Sequence, residues 1–79
     1  MHITQSEFKK ISNVKDELER YFKDWTIDVK TKDGGWQFIL TEDNKEPYYI
    51  WHSPKFIKEL SATAIVKSII DEVLYSYSD

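Results

Sequence analysis

An Asp33-Gly34 pair flanked on both sides by alternating apolar and polar residues limits what this chain can fold into more than any other feature. Asp-Gly is a favoured centre for a two-residue type I′ hairpin, because both central residues of that turn need positive φ. Upstream, Trp25-Thr26-Ile27-Asp28-Val29-Lys30 alternates with period two. Downstream, Trp36-Gln37-Phe38-Ile39-Leu40-Thr41 alternates again, with Ile39 interrupting the polar side. A turn at Asp33-Gly34 sets Val29 opposite Phe38 and Ile27 opposite Leu40, so the two apolar faces coincide. A slip of one residue would send one set to the opposite side of the sheet. Turn chemistry and hydrophobic pattern therefore predict the same register.

A third strand follows the polar turn Glu42-Asp43-Asn44-Lys45-Glu46-Pro47. Tyr48-Tyr49-Ile50-Trp51-His52 is rich in residues that suit a pleated surface. Pro47 has no N–H to donate, which fits a strand start or a sheet edge. Loop parity decides which side of this strand is buried. An odd loop groups Tyr48 and Ile50 with Leu40; an even loop groups Tyr49 and Trp51 there instead. The odd loop is favoured, and the alphabet of residues alone leaves both open.

Helical spacing brackets the strands. Phe8, Ile11, Val14, Leu18, Tyr21 and Phe22 recur at three and four, predicting a helix over about residues 5–23. Thr4-Gln5-Ser6-Glu7 fits a capping box, with Thr4 as the cap. Lys9, Lys10, Asp16, Glu17, Arg20 and Lys23 occupy the opposite face. Asp16–Arg20 and Glu19–Lys23 are expected i,i+4 ion pairs. Ser12-Asn13 compete for backbone hydrogen bonds and mark a place where the helix could break. Ser53-Pro54 predicts a short helical turn with Pro at its first position, over Phe56, Ile57 and Leu60. Ser61 then caps a final helix whose wide apolar face is Ala62, Ile65, Val66, Ile69, Ile70, Val73, Leu74 and Tyr77. The order is α-β-β-β-α. The expected fold is α+β: a three-stranded antiparallel meander with both helices packed on one face.

Seventy-nine residues allow one domain, 1–79, and are too few for two. Three Trp, five Tyr and four Phe supply large rings for its core, and argue against a disordered chain. There is no cysteine, so a disulfide framework is ruled out and a reducing compartment is indicated. Met1 to Glu7 contain no apolar run of signal-peptide length, and no stretch is long enough to span a bilayer. A soluble, cytoplasmic protein is expected. The net charge of −3 and a single arginine, Arg20, disfavour a protein whose main partner is a nucleic-acid backbone.

Catalytic and metal-binding patterns are missing. His2 and His52 are the only histidines, and neither belongs to a zinc-ligand spacing. Glu42, Asp43, Asn44 and Glu46 lack the ligand order of a calcium loop and read as a solvated turn. His52 and Ser53 are neighbours in sequence, which on a strand points them to opposite faces. Gly34 and Gly35 are the only glycines and lie in the hairpin, leaving none for a phosphate-cradling loop. No catalytic residue, metal ligand or cofactor is assigned, and no enzyme activity is expected.

The element order resembles that of the double-stranded RNA-binding domain over most of the chain. That family reads the duplex through a lysine-rich N-terminus of its last helix and a loop between its first two strands. The matching segments here are Ser61-Ala62-Thr63-Ala64-Ile65-Val66-Lys67, with one lysine, and Lys32-Asp33-Gly34-Gly35, with no histidine. None of the family's functional residues transfers, so a nucleic-acid binder of this kind is the alternative expectation. Small size, mild acidity and lack of chemistry also resemble accessory and inhibitor proteins carried by bacteria and their phages, some anti-CRISPR proteins among them.

The remaining candidate is the uncovered side of the sheet. Helices on one side leave Thr26, Asp28, Lys30, Gln37, Ile39 and Thr41 on the other, and the odd loop adds Tyr49 and Trp51. Aromatic residues at the centre of an apolar patch are frequent binding hot spots. Asp28, Lys30, Ile39, Tyr49 and Trp51 are the candidate partner-binding residues. The expected partner is another protein or a second copy of the chain, with nucleic acid, membrane and metal not expected. Alanine at Trp51 or Ile39 is expected to weaken binding and leave the fold intact.

Overall fold

A computed structural model describes residues 5–77. Helix α1 spans Gln5–Tyr21, strands β1, β2 and β3 span Trp25–Lys32, Gly35–Glu42 and Tyr48–His52, helix α2 spans Pro54–Glu59, and helix α3 spans Ala62–Tyr77. The three strands form one antiparallel sheet in the order β1-β2-β3. The expected fold class and element order are found, with α2 short and α3 long. Thr4 and the side chain of Tyr77 lie outside the described residues.

The hairpin forms at Asp33-Gly34, with φ of 52° and 77°. Both values are positive, as type I′ requires. Lys32 pairs with Gly35 to close the turn, and the register runs on through Val29↔Phe38 and Ile27↔Leu40 to Trp25↔Glu42. Residues 43–47 form an odd loop. Asn44 takes φ of 64°, a conformation its short polar side chain tolerates, and the Lys45 N–H donates to the Glu42 carbonyl. Leu40↔Tyr48 and Phe38↔Ile50 then pair, so Tyr48 and Ile50 face the core and Tyr49 and Trp51 face away. This is the favoured parity of the sequence reading.

α1 is continuous through Ser12-Asn13 and ends at Tyr21, two residues earlier than expected. Ile11, Val14 and Leu18 are buried along its stripe, and Phe22 is buried just past its end. The expected ion pairs are replaced. Arg20 pairs with Glu17 at 3.0 Å and Glu19 with Lys15 at 3.2 Å. Lys23 lies beyond the helix, so it has lost the i,i+4 geometry with Glu19. Ser53 caps α2 by accepting from the Phe56 N–H at 3.1 Å, with Pro54 at the first position. The Ser61 hydroxyl accepts from the Ala64 N–H and caps α3.

One core joins every element. Phe38, Leu18, Leu40, Ile57, Ile65, Ile69, Val14 and Val73 are its fully buried side chains. The ends of the apolar stripes are less covered than the periodicity predicts. Tyr21 and Leu74, near the ends of α1 and α3, are exposed. Phe8 is also exposed, yet its ring meets the edge of Trp36 at 5.6 Å. Long-range polar contacts tie the layers. The Trp36 Nε1–H donates to the Glu7 carboxylate at 2.7 Å, and the Tyr48 hydroxyl bridges Glu72 and Ser76 of α3. Lys10 of α1 donates to the carbonyls of Ile57 and Leu60, each at 2.9 Å, at the end of α2. An ammonium group that the helical pattern assigns to solvent thus adds a polar tie between α1 and α2.

Candidate protein-binding face

The strand register arranges the uncovered side of the sheet in rows. Asp28, Ile39 and Tyr49 form one row across β1, β2 and β3, and Lys30, Gln37 and Trp51 form the next. Thr26 with Thr41 and Lys32 with Gly35 complete the face. All five candidate residues from the sequence therefore lie on one surface, in two adjacent rows. No described helix covers them.

Burial varies within that surface. Asp28 and Lys30 are exposed, Tyr49 is 58% exposed and Trp51 is 45% exposed. Ile39 is only half-buried, because it occupies the central strand between Asp28 and Tyr49. Gln37 is buried to 9% exposure in the corresponding place between Lys30 and Trp51. The rings on the edge strand dominate the accessible apolar area, and Ile39 forms its floor.

Trp51 has a role that strand alternation does not reveal. Its Nε1–H donates to the Lys32 carbonyl at 2.8 Å, reaching across the sheet from β3 to the end of β1. The path crosses β2 at Gly35. A Cβ built there would lie 2.8 Å from Cζ2 of Trp51 and would also collide with the His52 carbonyl. The glycine clears space for the indole to lie over the sheet. With its only polar hydrogen engaged, Trp51 offers a partner the exposed part of its ring and no donor. This contact gives the ring a structural part as well, since it ties the hairpin end to β3.

Among the described residues the charges of the face are uncommitted. Among the described residues neither Asp28 nor Lys30 takes part in an ion pair; the pairs present are Lys15–Glu19, Arg20–Glu17, Lys45–Glu42 and Lys67–Asp71, all elsewhere. Both side chains stand on β1 with one strand residue between them, so they share the face.

His52, at the end of β3, points to the other side. Its ring stacks on Phe56 of α2 with centroids 4.0 Å apart, and Phe38 approaches at 5.8 Å. Its Nε2 is buried and has no hydrogen-bond partner among the described residues. Burial pushes the imidazole pKa below its usual 6.5, and the charge of Glu72 opposes that shift. The environment is that of a core aromatic. Among the described residues no group of three or more His, Cys, Asp or Glu side chains gathers to hold a metal ion, and no helix is long and apolar enough to cross a membrane.

No protein-family model, curated protein or solved structure matches this chain.

Proposed function

We propose that this domain is a non-enzymatic protein-binding module that engages its partner through the uncovered sheet face, as an accessory or inhibitor protein would. The observation that carries the reading is the pair of exposed rings, Tyr49 and Trp51, standing beside uncommitted charges on a face with no helix over it. Aromatic anchors ringed by polar groups match the make-up of binding hot spots. The site lies on strands, so its geometry is held before the partner arrives and little ordering entropy opposes association.

Capture from source-cell lysate tests this. Wild-type protein should retain a partner that Tyr49→Ala and Ile39→Glu lose, while Tyr75→Ala, changed at an exposed position of α3, retains it. Equal capture by the face variants would remove the sheet from the function.

A further inference from the structure

We infer that the open sheet face also pairs with a second copy of this chain, packed face to face with its strands antiparallel. The inference deepens the reading of this face as a protein-binding surface and rests on it. Its basis is that the two central rows are complementary to each other. One row carries Asp28, Ile39 and Tyr49; the next carries Lys30, Gln37 and Trp51. A two-fold axis between the sheets, perpendicular to the strands and midway between these rows, exchanges them. Asp28 then meets Lys30 of the second copy, and Lys30 meets Asp28. Tyr49 stands over the backbone position of Trp51 of the second copy, beside the ring that extends toward Gly35, and Ile39 meets Gln37. Every contact occurs twice, as a two-fold interface demands.

The individual groups suit these contacts. Asp28 and Lys30 are exposed and lack ion-pair partners in their own chain among the described residues. Trp51 lies across Gly35 with its N–H bound to the Lys32 carbonyl, so what it has left to offer is ring surface. An aromatic side chain is a fitting neighbour for such a surface, and Tyr49 is the most exposed aromatic on the face. Sheets packed face to face keep their strands within about 30° of alignment, which lets both rows meet. The competing two-fold, running along β2, places each charge against a ring and leaves all four charges without an opposite partner. Charge complementarity selects the antiparallel arrangement.

Area sets its strength. Strands of 8, 8 and 5 residues rise about 3.3 Å per residue and lie about 4.8 Å apart, so the three offer roughly 330 Å². Stable complexes bury about 800 Å² per partner. Self-pairing is therefore weak and reversible, and a protein partner with a larger footprint displaces it.

Sedimentation equilibrium on the whole chain, from micromolar to about 1 mM, is the test. Wild type should show a monomer–dimer equilibrium that weakens with added salt. Asp28→Lys places lysine against lysine, and Lys30→Asp places aspartate against aspartate; each alone should weaken dimerisation at least about tenfold. Mixed together, the two variants should form a heterodimer, because each then supplies the charge the other needs. Tyr49→Thr should weaken the wild-type dimer too. Circular dichroism establishes that each variant is folded before it is scored. A monomeric wild type throughout, or a mixture that fails to associate, overturns the antiparallel pairing. So does Tyr49→Thr dimerising as well as wild type, which would assign the charge pair to the β1 edge. None of these outcomes touches the lysate capture, whose failure alone would overturn the protein-binding reading.

Discussion

Gly35 and His52 show how much can turn on one side chain in a domain of this size. Gly35 sits in β2 with the Trp51 ring over it and the His52 carbonyl beside it. Gly35→Ala is expected to cost about 1–3 kcal/mol, the usual range for overpacking. Removing the indole in a Gly35→Ala/Trp51→Ala double variant should recover only part of that cost, because the backbone carbonyl cannot move aside. Urea denaturation of the single and double variants checks both statements. His52 makes a separate prediction about pH. Its pKa is lowered in the fold by burial, so in mildly acidic solution the unfolded chain binds a proton that the folded chain resists. Stability from this residue is present above the unfolded pKa of about 6.5 and is lost as pH falls toward and through the lower folded value. The urea midpoint should drop between pH 7.5 and 5.5. His52→Phe, which keeps a ring against Phe56, should flatten that slope; an unchanged slope would assign the effect to other groups.

Lys10 acts on the scale of an element. Its ammonium group binds carbonyls at the C-terminal end of α2, where helix carbonyls lack partners and the helix dipole is negative. Lys10→Met keeps the stem and removes the donor. It is expected to destabilise the protein by about 1–2 kcal/mol, and hydrogen exchange should show α2 amides opening before those of β2. The contact was illegible in the sequence because Lys10 lies on the polar face of α1, where period 3.6 assigns solvent. Elements whose signals are local were legible: Asp33-Gly34 with its flanking alternation specified the hairpin to the residue, and Ser53-Pro54 and Ser61 located two helix starts. The third strand was half legible. Its residues were recognisable as a strand, but the buried side depended on the five-residue turn, whose Asn44 conformation leaves no mark in a hydrophobic pattern. Contacts far apart in sequence, Trp36 with Glu7 and Trp51 with Lys32, had no signal at all. The candidate face was legible as a set of residues, because alternation sorts side chains to one side. The hold that Trp51 has on the hairpin was not.

Across the whole molecule, the core and the proposed binding face occupy opposite sides of one thin sheet, and substitutions should separate them. Val14, Phe38, Ile57 and Ile69 come from α1, β2, α2 and α3 and are all fully buried in a single cluster. No element has a core of its own, so unfolding should be one cooperative transition, with tryptophan fluorescence and far-ultraviolet circular dichroism coinciding. Ile69→Ala is expected to cost about 2–5 kcal/mol. A chain this short has only about 4–12 kcal/mol of total stability, so that variant should be severely weakened in both signals together. Tyr49→Ala removes a ring that is 58% exposed on the far side of the sheet. It should move the urea midpoint little while abolishing partner capture. Trp51→Ala should do both, because the same indole braces the hairpin and faces solvent. If Tyr49→Ala proved as destabilising as Ile69→Ala, the open face would be part of the core's support, and its use as a free binding surface would fall.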